Sequence, residues 1–324
     1  MRILLTTTSY QDTPGKHHEL LEASGFDVVR ARGPLQEADM LKLVNDGEGF
    51  DGLLNGDDLI TAKVIDAGLA AKRKLRVIAK YGIGLDSIDV KHATSKKIPV
   101  LFTPGVNHTT VAEHAFGLMI GLVKHFWPHV KSVKGGGWKR ITGNELAGKT
   151  IGVIGMGRIG KEVIIRAAAF GMKPIAYDHY WDGAFAWKYK VERAKSAEDV
   201  LERADVISLH MNLDDSNREF INKDRIAKMK KGAIIINTAR GGLVNEADVA
   251  AACKSGQLGG YGADVLEHEP PAPGHPFTEV DNILITPHVG SRTSESVERQ
   301  AVRATQNIVN FLSGNKDYIQ ANQF

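Results

Sequence analysis

Short apolar runs alternate with segments of helical periodicity over residues 1 to 103. Such runs are typical of buried strands, whereas apolar residues spaced by three and four positions are typical of amphipathic helices. The predicted strands are residues 3–7, 26–30, 52–55, 76–79 and 98–102. The predicted helices are residues 16–24, 35–45 and 61–70. Alternation at this spacing predicts a parallel sheet with helices on both faces.

A second alternating series runs from Gly148 to His288. Its predicted strands are residues 150–154, 173–177, 205–209, 233–237, 260–263 and 283–286. Its predicted helices are residues 158–170, 197–204, 223–229 and 246–254. A last helical pattern covers residues 291–312 and ends at Gly314. The predicted fold class is therefore α/β, with two doubly wound parallel-sheet domains.

The segment between the two series begins with Thr-Pro-Gly at residues 103–105, which breaks the alternation and indicates a domain boundary. One long helix is predicted over residues 107–126, with Asn107 as its N-cap and Pro128 just beyond its end. The glycine-rich loop that follows carries Trp138. Trp138 is predicted either to pack beside the core or to contact a second subunit.

Three glycines between the first strand and the first helix of the second series form the pattern G-x-G-x-x-G. Gly155 allows a tight turn, Gly157 lets the backbone approach a pyrophosphate, and Gly160 lets the helix pack close to the strand. The helix N-terminus, at Arg158 and Ile159, presents unpaired N–H groups to the phosphates. A plain glycine-rich turn is the alternative, but the strand before it and the helix after it favour a dinucleotide site.

Asp178 stands at the end of the second strand of this series, 18 positions after Gly160. At that distance a carboxylate can accept hydrogen bonds from the adenosine ribose. The next residues are His179 and Tyr180, so no Arg or Lys adjoins Asp178 to attract a 2′-phosphate. The sequence therefore predicts NAD rather than NADP as the cofactor.

Three further strand ends carry reactive side chains. Arg240 follows the apolar run at 233–236. Asp264 and Glu269 follow the next strand, and His288 follows the last one. Parallel strands end at one edge of a sheet, so an Arg, an acid and a His could converge near the nicotinamide. Reduction of a 2-keto acid needs an Arg for the carboxylate and a His, held by an acid, as proton donor.

Each of these side chains also has a structural interpretation. Arg240 alone could be a surface salt-bridge partner, and Glu269, before two prolines, could be a plain loop acid. His288 could be a turn histidine whose hydrogen bonds are satisfied locally. Because all three follow a nucleotide motif, the functional interpretation is favoured.

Composition and charge narrow the class of protein. Charged residues make up 24% and apolar residues 43% of the 324 residues, as in ordinary soluble proteins. The net charge of +3 comes from scattered basic residues, so no nucleic-acid partner is predicted. The single Cys253 excludes an internal disulfide and fits a reducing cytoplasm. No apolar run reaches the roughly 18 residues of a membrane span, and the start of the chain does not have the pattern of a signal peptide.

No metal site is predicted. One cysteine cannot form a Cys-based cluster. The adjacent His17 and His18 have no acidic partners at metal-binding spacing, and the pair is interpreted as a solvated helix start.

Six segments, in their order along the chain, resemble the NAD-dependent D-isomer-specific 2-hydroxyacid dehydrogenases over nearly its whole length. They are KYGIGLDSID at 80–89, TPGVNHTTVAEHAFGLM at 103–119, GMGRIG at 155–160, NTARGGLVNEADV at 237–249, ADVLEHEPP at 263–271 and TPHVG at 286–290. The resemblance implies a discontinuous, flavodoxin-like substrate domain formed by residues 1–103 with 291–324. It also implies a Rossmann NAD domain over 104–290, a site in the cleft between the two domains, and a homodimer.

The resemblance further implies a role for each strand-end side chain. Arg240 would bind and orient the substrate, Glu269 would be the partner of the histidine, and His288 would be the acid/base. Asp264 would hold the nicotinamide carboxamide. The cofactor contacts implied besides the glycine motif are Asp178, His210, Thr238, Asp264 and His288. The substrate contacts implied are Arg240, Lys80 and the backbone N–H groups of Tyr81, Gly82, Ile83 and Gly84.

The chain departs from the family pattern at several positions. Lys80 stands where many relatives have Arg, which keeps the charge but loses the bidentate fork. Asn245 stands where Asp is common. The third strand ends in Asn-Gly-Asp-Asp at 55–58, where phosphoglycerate-specific relatives typically place an Arg. Two acids there would repel a phosphate, so an unphosphorylated acid such as glyoxylate or hydroxypyruvate is predicted. No regulatory domain is expected after Phe324.

Three alternatives are weighed against this prediction. The first is a phosphoglycerate dehydrogenase that holds the phosphate with Arg292 or Arg140. The second is a formate dehydrogenase, which is disfavoured because that enzyme pairs its histidine with Gln whereas this chain has Glu269. The third is an NAD-sensing, corepressor-like binding protein, which would be expected to carry partner-binding extensions.

Overall fold

The computed structural model describes every residue from Met1 to Phe324. The chain forms two compact units. Unit 1 comprises Met1–Asn107 with Arg292–Phe324, and unit 2 comprises His108–Ser291. No helix is both long and apolar enough to cross a lipid bilayer.

Unit 1 contains five parallel strands. Their bounds are β1 Arg2–Leu5, β2 Asp27–Arg30, β3 Gly52–Asn55, β4 Val77–Lys80 and β5 Val100–Leu101. The strand order is β2-β1-β3-β4-β5, which is the flavodoxin-like order. Every residue of β3 and β4 is buried, as expected for central strands of a parallel sheet covered on both faces.

Six helices cover this sheet. Their bounds are α1 Thr8–Asp12, α2 Lys16–Ala23, α3 Glu37–Val44, α4 Ala62–Ala70, α5 Val90–Ser95 and, after unit 2, α13 Ser294–Leu312. The buried face of α13 includes Ala301, Ala304 and Ile308. A Cβ on Gly52 would lie 3.0 Å from the Ile308 side chain, so a glycine in β3 allows α13 to pack closely on the sheet.

Unit 2 contains seven parallel strands. Their bounds are β6 Thr150–Ile154, β7 Lys173–Tyr177, β8 Glu192–Arg193, β9 Val206–Leu209, β10 Ala233–Asn237, β11 Leu258–Ala263 and β12 Ile283–Ile285. The order is β12-β11-β10-β9-β6-β7-β8. Relative to β6 this is the Rossmann order, extended by one strand. The predicted fold class, with two doubly wound parallel sheets, is confirmed.

Unit 2 contains seven α-helices, and the end of the first one differs from the prediction. The bounds are α6 His108–Val123, α7 Phe126–Lys134, α8 Arg158–Ala169, α9 Gly183–Tyr189, α10 Ala197–Arg203, α11 Lys223–Ile226 and α12 Glu246–Ser255, with a 3₁₀ turn at Gly241–Leu243. The single helix predicted over 107–126 ends early, because His125 adopts a left-handed conformation with φ 51°. Pro128 lies in the first turn of α7, where its missing N–H would have no helical partner.

The prediction for His17 is wrong. The residue is fully buried, although the histidine pair was expected to be solvated. His17 Nε2 lies 3.0 Å from the Tyr10 carbonyl oxygen, and the Tyr10 hydroxyl donates to the His17 carbonyl oxygen at 3.1 Å. Burial lowers the pKa of His17, so the ring is a neutral part of the unit 1 core.

Candidate active site

The glycine motif forms the turn between β6 and α8. Gly155 has φ 95°, and a Cβ on it would lie 2.6 Å from the backbone of His210. A Cβ on Gly160 would lie 2.1 Å from the Gly155 carbonyl oxygen, so this close packing requires glycine. A Cβ on Gly157 would meet nothing within 4 Å, and Gly157 is the N-cap of α8. The turn therefore leaves open space in front of the α8 N-terminus, at Arg158 and Ile159, where a phosphate can approach.

Asp178 lies directly after β7 and faces this turn. Its carboxylate accepts hydrogen bonds from the backbone N–H of Met156 at 2.5 Å and of Tyr180 at 2.7 Å. Met156 lies inside the glycine motif, so the acid is fixed beside the phosphate-binding turn. The position fits a carboxylate that receives the ribose hydroxyls of NAD.

Two buried polar atoms without partners lie at the ends of the next strands. His210 follows β9; its Nε2 lies 2.8 Å from Ser208 Oγ, and its Nδ1 is buried without a hydrogen bond. Burial lowers the pKa of His210 to about 4, so the ring is neutral at pH 7. Thr238 follows β10, and its Oγ1 is also buried without a partner. Buried polar atoms are normally hydrogen-bonded, so both atoms fit contacts to a bound ligand.

Asp264, directly after β11, holds the loop that carries His288. Its side chain accepts hydrogen bonds from the N–H groups of Val289 at 2.9 Å and Gly290 at 2.6 Å, and from Thr286 Oγ1 at 2.6 Å. Burial opposes ionisation of this carboxyl group, but the hydrogen bonds, including one from His114, outweigh burial and lower the pKa of Asp264. The contact to the nicotinamide carboxamide that was predicted for Asp264 stays a prediction.

His288 and Glu269 form an exposed hydrogen-bonded pair in unit 2. His288 Nδ1 lies 2.8 Å from Glu269 Oε2, and the two side chains are 41% and 38% exposed. The other carboxylate oxygen, Oε1, accepts the Leu266 N–H at 2.9 Å. The acid is thus anchored to the backbone while it holds the ring, and Nε2 is the ring nitrogen that points away from Glu269.

Arg240 lies in the turn between β10 and the 3₁₀ turn. The fully buried Asn237 shapes this turn: its Oδ1 accepts the Ala239 N–H at 3.0 Å, and its Nδ2 donates to the Arg240 carbonyl oxygen at 2.9 Å. The Arg240 guanidinium donates to the Ala239 carbonyl oxygen at 2.6 Å. Because β10, β11 and β12 are neighbours in a parallel sheet, Arg240, Glu269 and His288 all follow strand ends at the same edge.

Unit 1 presents a second polar sheet edge, after β3 and β4. The N–H of Tyr81 donates to the Asn55 carbonyl oxygen at 2.8 Å, and the N–H of Gly82 donates to Thr103 Oγ1 at 3.0 Å. These two of the four predicted backbone donors are therefore used within unit 1. The N–H groups of Ile83 and Gly84 remain as candidates for a carboxylate.

Lys80, at the end of β4, is 2% exposed. Its Nζ donates to the Gly56 carbonyl oxygen and to Asp57 Oδ1, both at 2.6 Å. The cation that was predicted to meet a substrate group thus already pairs with the loop after β3.

Asp58 corrects the electrostatic interpretation of that loop. It is fully buried, and it accepts hydrogen bonds from Thr6 Oγ1, the Leu35 N–H and the Gly56 N–H. Asp58 is therefore a structural anchor of the loop. Of the two acids predicted to repel a phosphate, only Asp57 lies exposed at the surface.

A sequence model of the D-isomer specific 2-hydroxyacid dehydrogenase NAD binding domain matches residues 116–290. The chain belongs to this family. The predicted resemblance, the enzyme class and the NAD cofactor are confirmed.

Individual proteins extend the likeness of this dehydrogenase beyond the NAD domain. A hydroxypyruvate reductase from Thermotoga maritima is 43% identical over 253 residues, which cover 77% of this chain and 80% of that protein. A D-3-phosphoglycerate dehydrogenase from Methanocaldococcus jannaschii is 37% identical over 316 residues, which cover 97% of this chain but 58% of that protein. The crystal structure of the TT0316 protein from Thermus thermophilus superposes with a TM-score of 0.88, 35% identity, and coverage of 99% and 100%.

Two residues of the dehydrogenase that the sequence analysis did not single out form a pair, and its carboxylate contacts the backbone beside the anchor of Glu269. Glu246, the first residue of α12, and His275 form a mostly buried pair with 2.9 Å between Oε2 and Nε2. Glu246 belongs to the segment at 237–249 that carries the family resemblance, and this was the one available signal. His275 had no such signal, because its partner is 29 positions away.

Proposed function

We propose that this enzyme reduces a small unphosphorylated 2-keto acid, of the glyoxylate or hydroxypyruvate type, to the D-2-hydroxy acid with NADH. The observation that carries the proposal is the pair of His288 and Glu269, with 2.8 Å between Nδ1 and Oε2, at the sheet edge that also holds Arg240. The relatives named hydroxypyruvate reductase and glyoxylate reductase support the substrate class.

The roles of the residues follow from charge and geometry. The Arg240 guanidinium binds the substrate carboxylate and sets the keto carbon in place. As negative charge develops on the keto oxygen, His288 donates a proton from Nε2, and Glu269 stabilises the charged ring through Nδ1. When bound, NADH supplies the hydride. Asp178, the glycine motif, His210 and Thr238 hold the cofactor, and Asp264 keeps the His288 loop in position.

The proposal also assigns a separate role to each unit. Unit 1, predicted as residues 1–103 with 291–324, would contribute substrate contacts through the N–H groups of Ile83 and Gly84. Unit 2, predicted as residues 104–290, would bind NAD and provide the acid/base.

The loop after β3 supports the unphosphorylated substrate. Because the Lys80 ammonium is paired with Asp57, a phosphate dianion would have to displace a carboxylate to reach it. Thr7 Oγ1 and Asn55 Oδ1 are buried without hydrogen-bond partners at the same edge. A hydroxyl group, as in hydroxypyruvate, can pair with such atoms, whereas a phosphate would place more negative charge beside Asp57.

We expect hydroxypyruvate or glyoxylate to exceed 3-phosphohydroxypyruvate in kcat/KM at one pH with NADH. Asp57→Asn should raise kcat/KM for the phosphorylated acid, because it removes the competing charge from Lys80. The matched control is Asp39→Asn, since Asp39 is an exposed acid that pairs with a lysine, Lys42, on helix α3 and outside the loops after β3 and β4. If the phosphorylated acid wins by roughly tenfold or more, about 1.4 kcal/mol, a phosphoglycerate dehydrogenase is the better description.

Phosphoglycerate dehydrogenase is the second candidate function, and it rests on one observation. Arg292 lies close enough to Tyr81 to lower its pKa, against the larger upward effect of burial. An exposed arginine in unit 1 could therefore hold a phosphate without Lys80. The relatives include D-3-phosphoglycerate dehydrogenases.

We expect a clear preference for NAD(H) over NADP(H). A 2′-phosphate would face the Asp178 carboxylate, with no adjacent cation in the sequence. Asp178→Ala should narrow the ratio of kcat/KM values for the two cofactors. Equal values in the unmodified enzyme, or a preference for NADPH, would show that Asp178 does not select the cofactor.

We also propose a homodimer in the cytoplasm. Helix α7 buries none of its residues within the chain, and Phe126, Trp127, Val130 and Val133 on it are each at least 45% exposed. Trp138, in the next loop, is 78% exposed, which favours its interpretation as a subunit contact. Sedimentation should give the mass of two chains, and Trp127→Lys with Trp138→Lys should give the mass of one. The single buried Cys253 fits a reducing compartment.

A further inference from the structure

We infer that Glu246 and His275 are positioning residues for the acid/base pair, and that they act through the backbone of Leu266 and Glu267. The inference rests on the proposed roles of His288, Glu269 and Arg240. It concerns a second Glu–His pair, more buried than the first, with side chains that are 15% and 11% exposed.

Two consecutive amides connect the two pairs. The Leu266 N–H donates to Glu269 Oε1 at 2.9 Å, and the Glu267 N–H donates to Glu246 Oε1 at 3.0 Å. The same short stretch of backbone therefore contacts the carboxylate that holds His288 and the carboxylate that holds His275. If Glu246 releases the Glu267 amide, the anchor of Glu269 is free to shift.

His275 fixes the orientation of the Glu246 carboxylate. His275 Nε2 lies 2.9 Å from Glu246 Oε2, and the Phe277 N–H donates to His275 Nδ1 at 3.4 Å. Because Nδ1 accepts a hydrogen bond, Nε2 is the ring nitrogen that donates to Glu246. Phe277 is itself buried against Tyr261, so the histidine is tied to the unit 2 core.

The same backbone also touches the loop of Arg240. A Cβ on Gly241 would lie 1.9 Å from the Leu266 carbonyl carbon and 2.2 Å from the Glu267 nitrogen. A shift of this stretch would therefore be transmitted to Arg240 as well as to Glu269. Misplacement of reacting groups by about 1 Å can cost on the order of 10² in rate, which sets the scale of the expected effect.

The decisive experiment is a double-mutant cycle. Glu246→Ala should lower kcat by about 10- to 100-fold in the otherwise unmodified enzyme, with the Kd for NADH little changed. In the background of Glu269→Gln, the same change should cost several-fold less than in the unmodified enzyme, because the part of the loss that acts through Glu269 is already present and only the part through Arg240 remains. Equal fold-losses in both backgrounds would overturn the inference, since a merely structural residue acts independently of Glu269.

Two variants of His275 complete the experiment, one as a conservative substitution and one as a replacement for Glu246→Ala in the cycle. His275→Gln keeps a donor to Glu246 and should stay within about threefold of the unmodified enzyme, whereas His275→Ala should lose about tenfold. If Glu246→Ala does not fold, His275→Ala takes its place in the cycle under the same criterion. The matched control is Asp248→Ala, which removes another first-turn acid of α12 that binds a backbone N–H, that of Lys223. The control should leave kcat unchanged.

The single variants distinguish a failure of the positioning role from a failure of the proposed role of Glu269. If Glu269→Gln alone leaves turnover intact, the proposed role of Glu269 is wrong. If Glu269→Gln impairs turnover but Glu246→Ala and His275→Ala do not, only the positioning role is wrong.

Discussion

His288→Ala is expected to lower kcat for keto-acid reduction by about 10²–10⁴-fold while the Kd for NADH stays nearly unchanged. The imidazole is the group proposed to protonate the keto oxygen, and alanine leaves only water for that step. Cofactor binding should persist because the glycine motif and Asp178 lie at other strand ends of the same sheet. Steady-state turnover and a fluorescence titration with NADH measure the two quantities separately.

A histidine in the same region supplies the control. His268 is exposed and lies next to Glu269 in the sequence, so His268→Ala should keep near-full turnover. If His288→Ala also keeps near-full kcat, the proton donor has been misassigned.

Glu269→Gln should also move the pH profile. In the unmodified enzyme the carboxylate lies 2.8 Å from the ring and favours its protonated form. Glutamine removes that charge, so the proton is lost at lower pH and the alkaline limb for reduction moves downward. An unchanged profile would mean that Glu269 does not act on the charge of His288.

Features that depend on local sequence could be predicted well. The glycine motif, Asp178 and the chemistry after β10, β11 and β12 follow from strand ends and turn residues. Since the carboxyl ends of parallel strands share an edge, the order of motifs along the chain was enough to group Arg240, Glu269 and His288. The pattern also predicted every strand except β8, because buried strands form short apolar runs whereas β8 consists of two exposed charged residues.

Features that depend on tertiary contacts could not be predicted. The burial of His17 depends on Tyr10 and on the packing of α13, which is far away in sequence. The end of α6 was missed because a single residue, His125, takes a left-handed conformation that no local pattern demands.

The environment of the charged residues in the β3 loop could not be predicted either, because it also depends on tertiary contacts. From sequence, Asp57 and Asp58 are equivalent acids beside a free Lys80. In the fold, Asp58 is buried under three hydrogen bonds and Asp57 is paired with Lys80. The unphosphorylated substrate stays a prediction, and the pairing of Lys80 with Asp57 replaces the repulsion by two acids as its reason.

Arg240 variants should give the second large effect. Arg240→Gln is expected to lower kcat/KM for the keto acid by about 10²–10³-fold, because a carboxylate that loses its charged partner keeps its desolvation cost. Arg240→Lys keeps the charge but not the planar fork, so its loss should be smaller, about tenfold. In the fold, Asn237 shapes the turn that carries Arg240, and the Arg240 guanidinium donates a hydrogen bond to the Ala239 carbonyl oxygen at 2.6 Å.

The experiment compares both variants with Arg225→Gln. Arg225, in α11, pairs with Glu198, in α10, at 3.0 Å, so its loss tests the general effect of removing a paired arginine from unit 2. That control should change stability more than kcat/KM. Added guanidinium ion should partly restore turnover to Arg240→Ala, since it can occupy the vacated site beside the substrate carboxylate. Equal kcat/KM values for Arg240→Gln and the unmodified enzyme would remove Arg240 from the site, and the carboxylate would then depend on the N–H groups of Ile83 and Gly84.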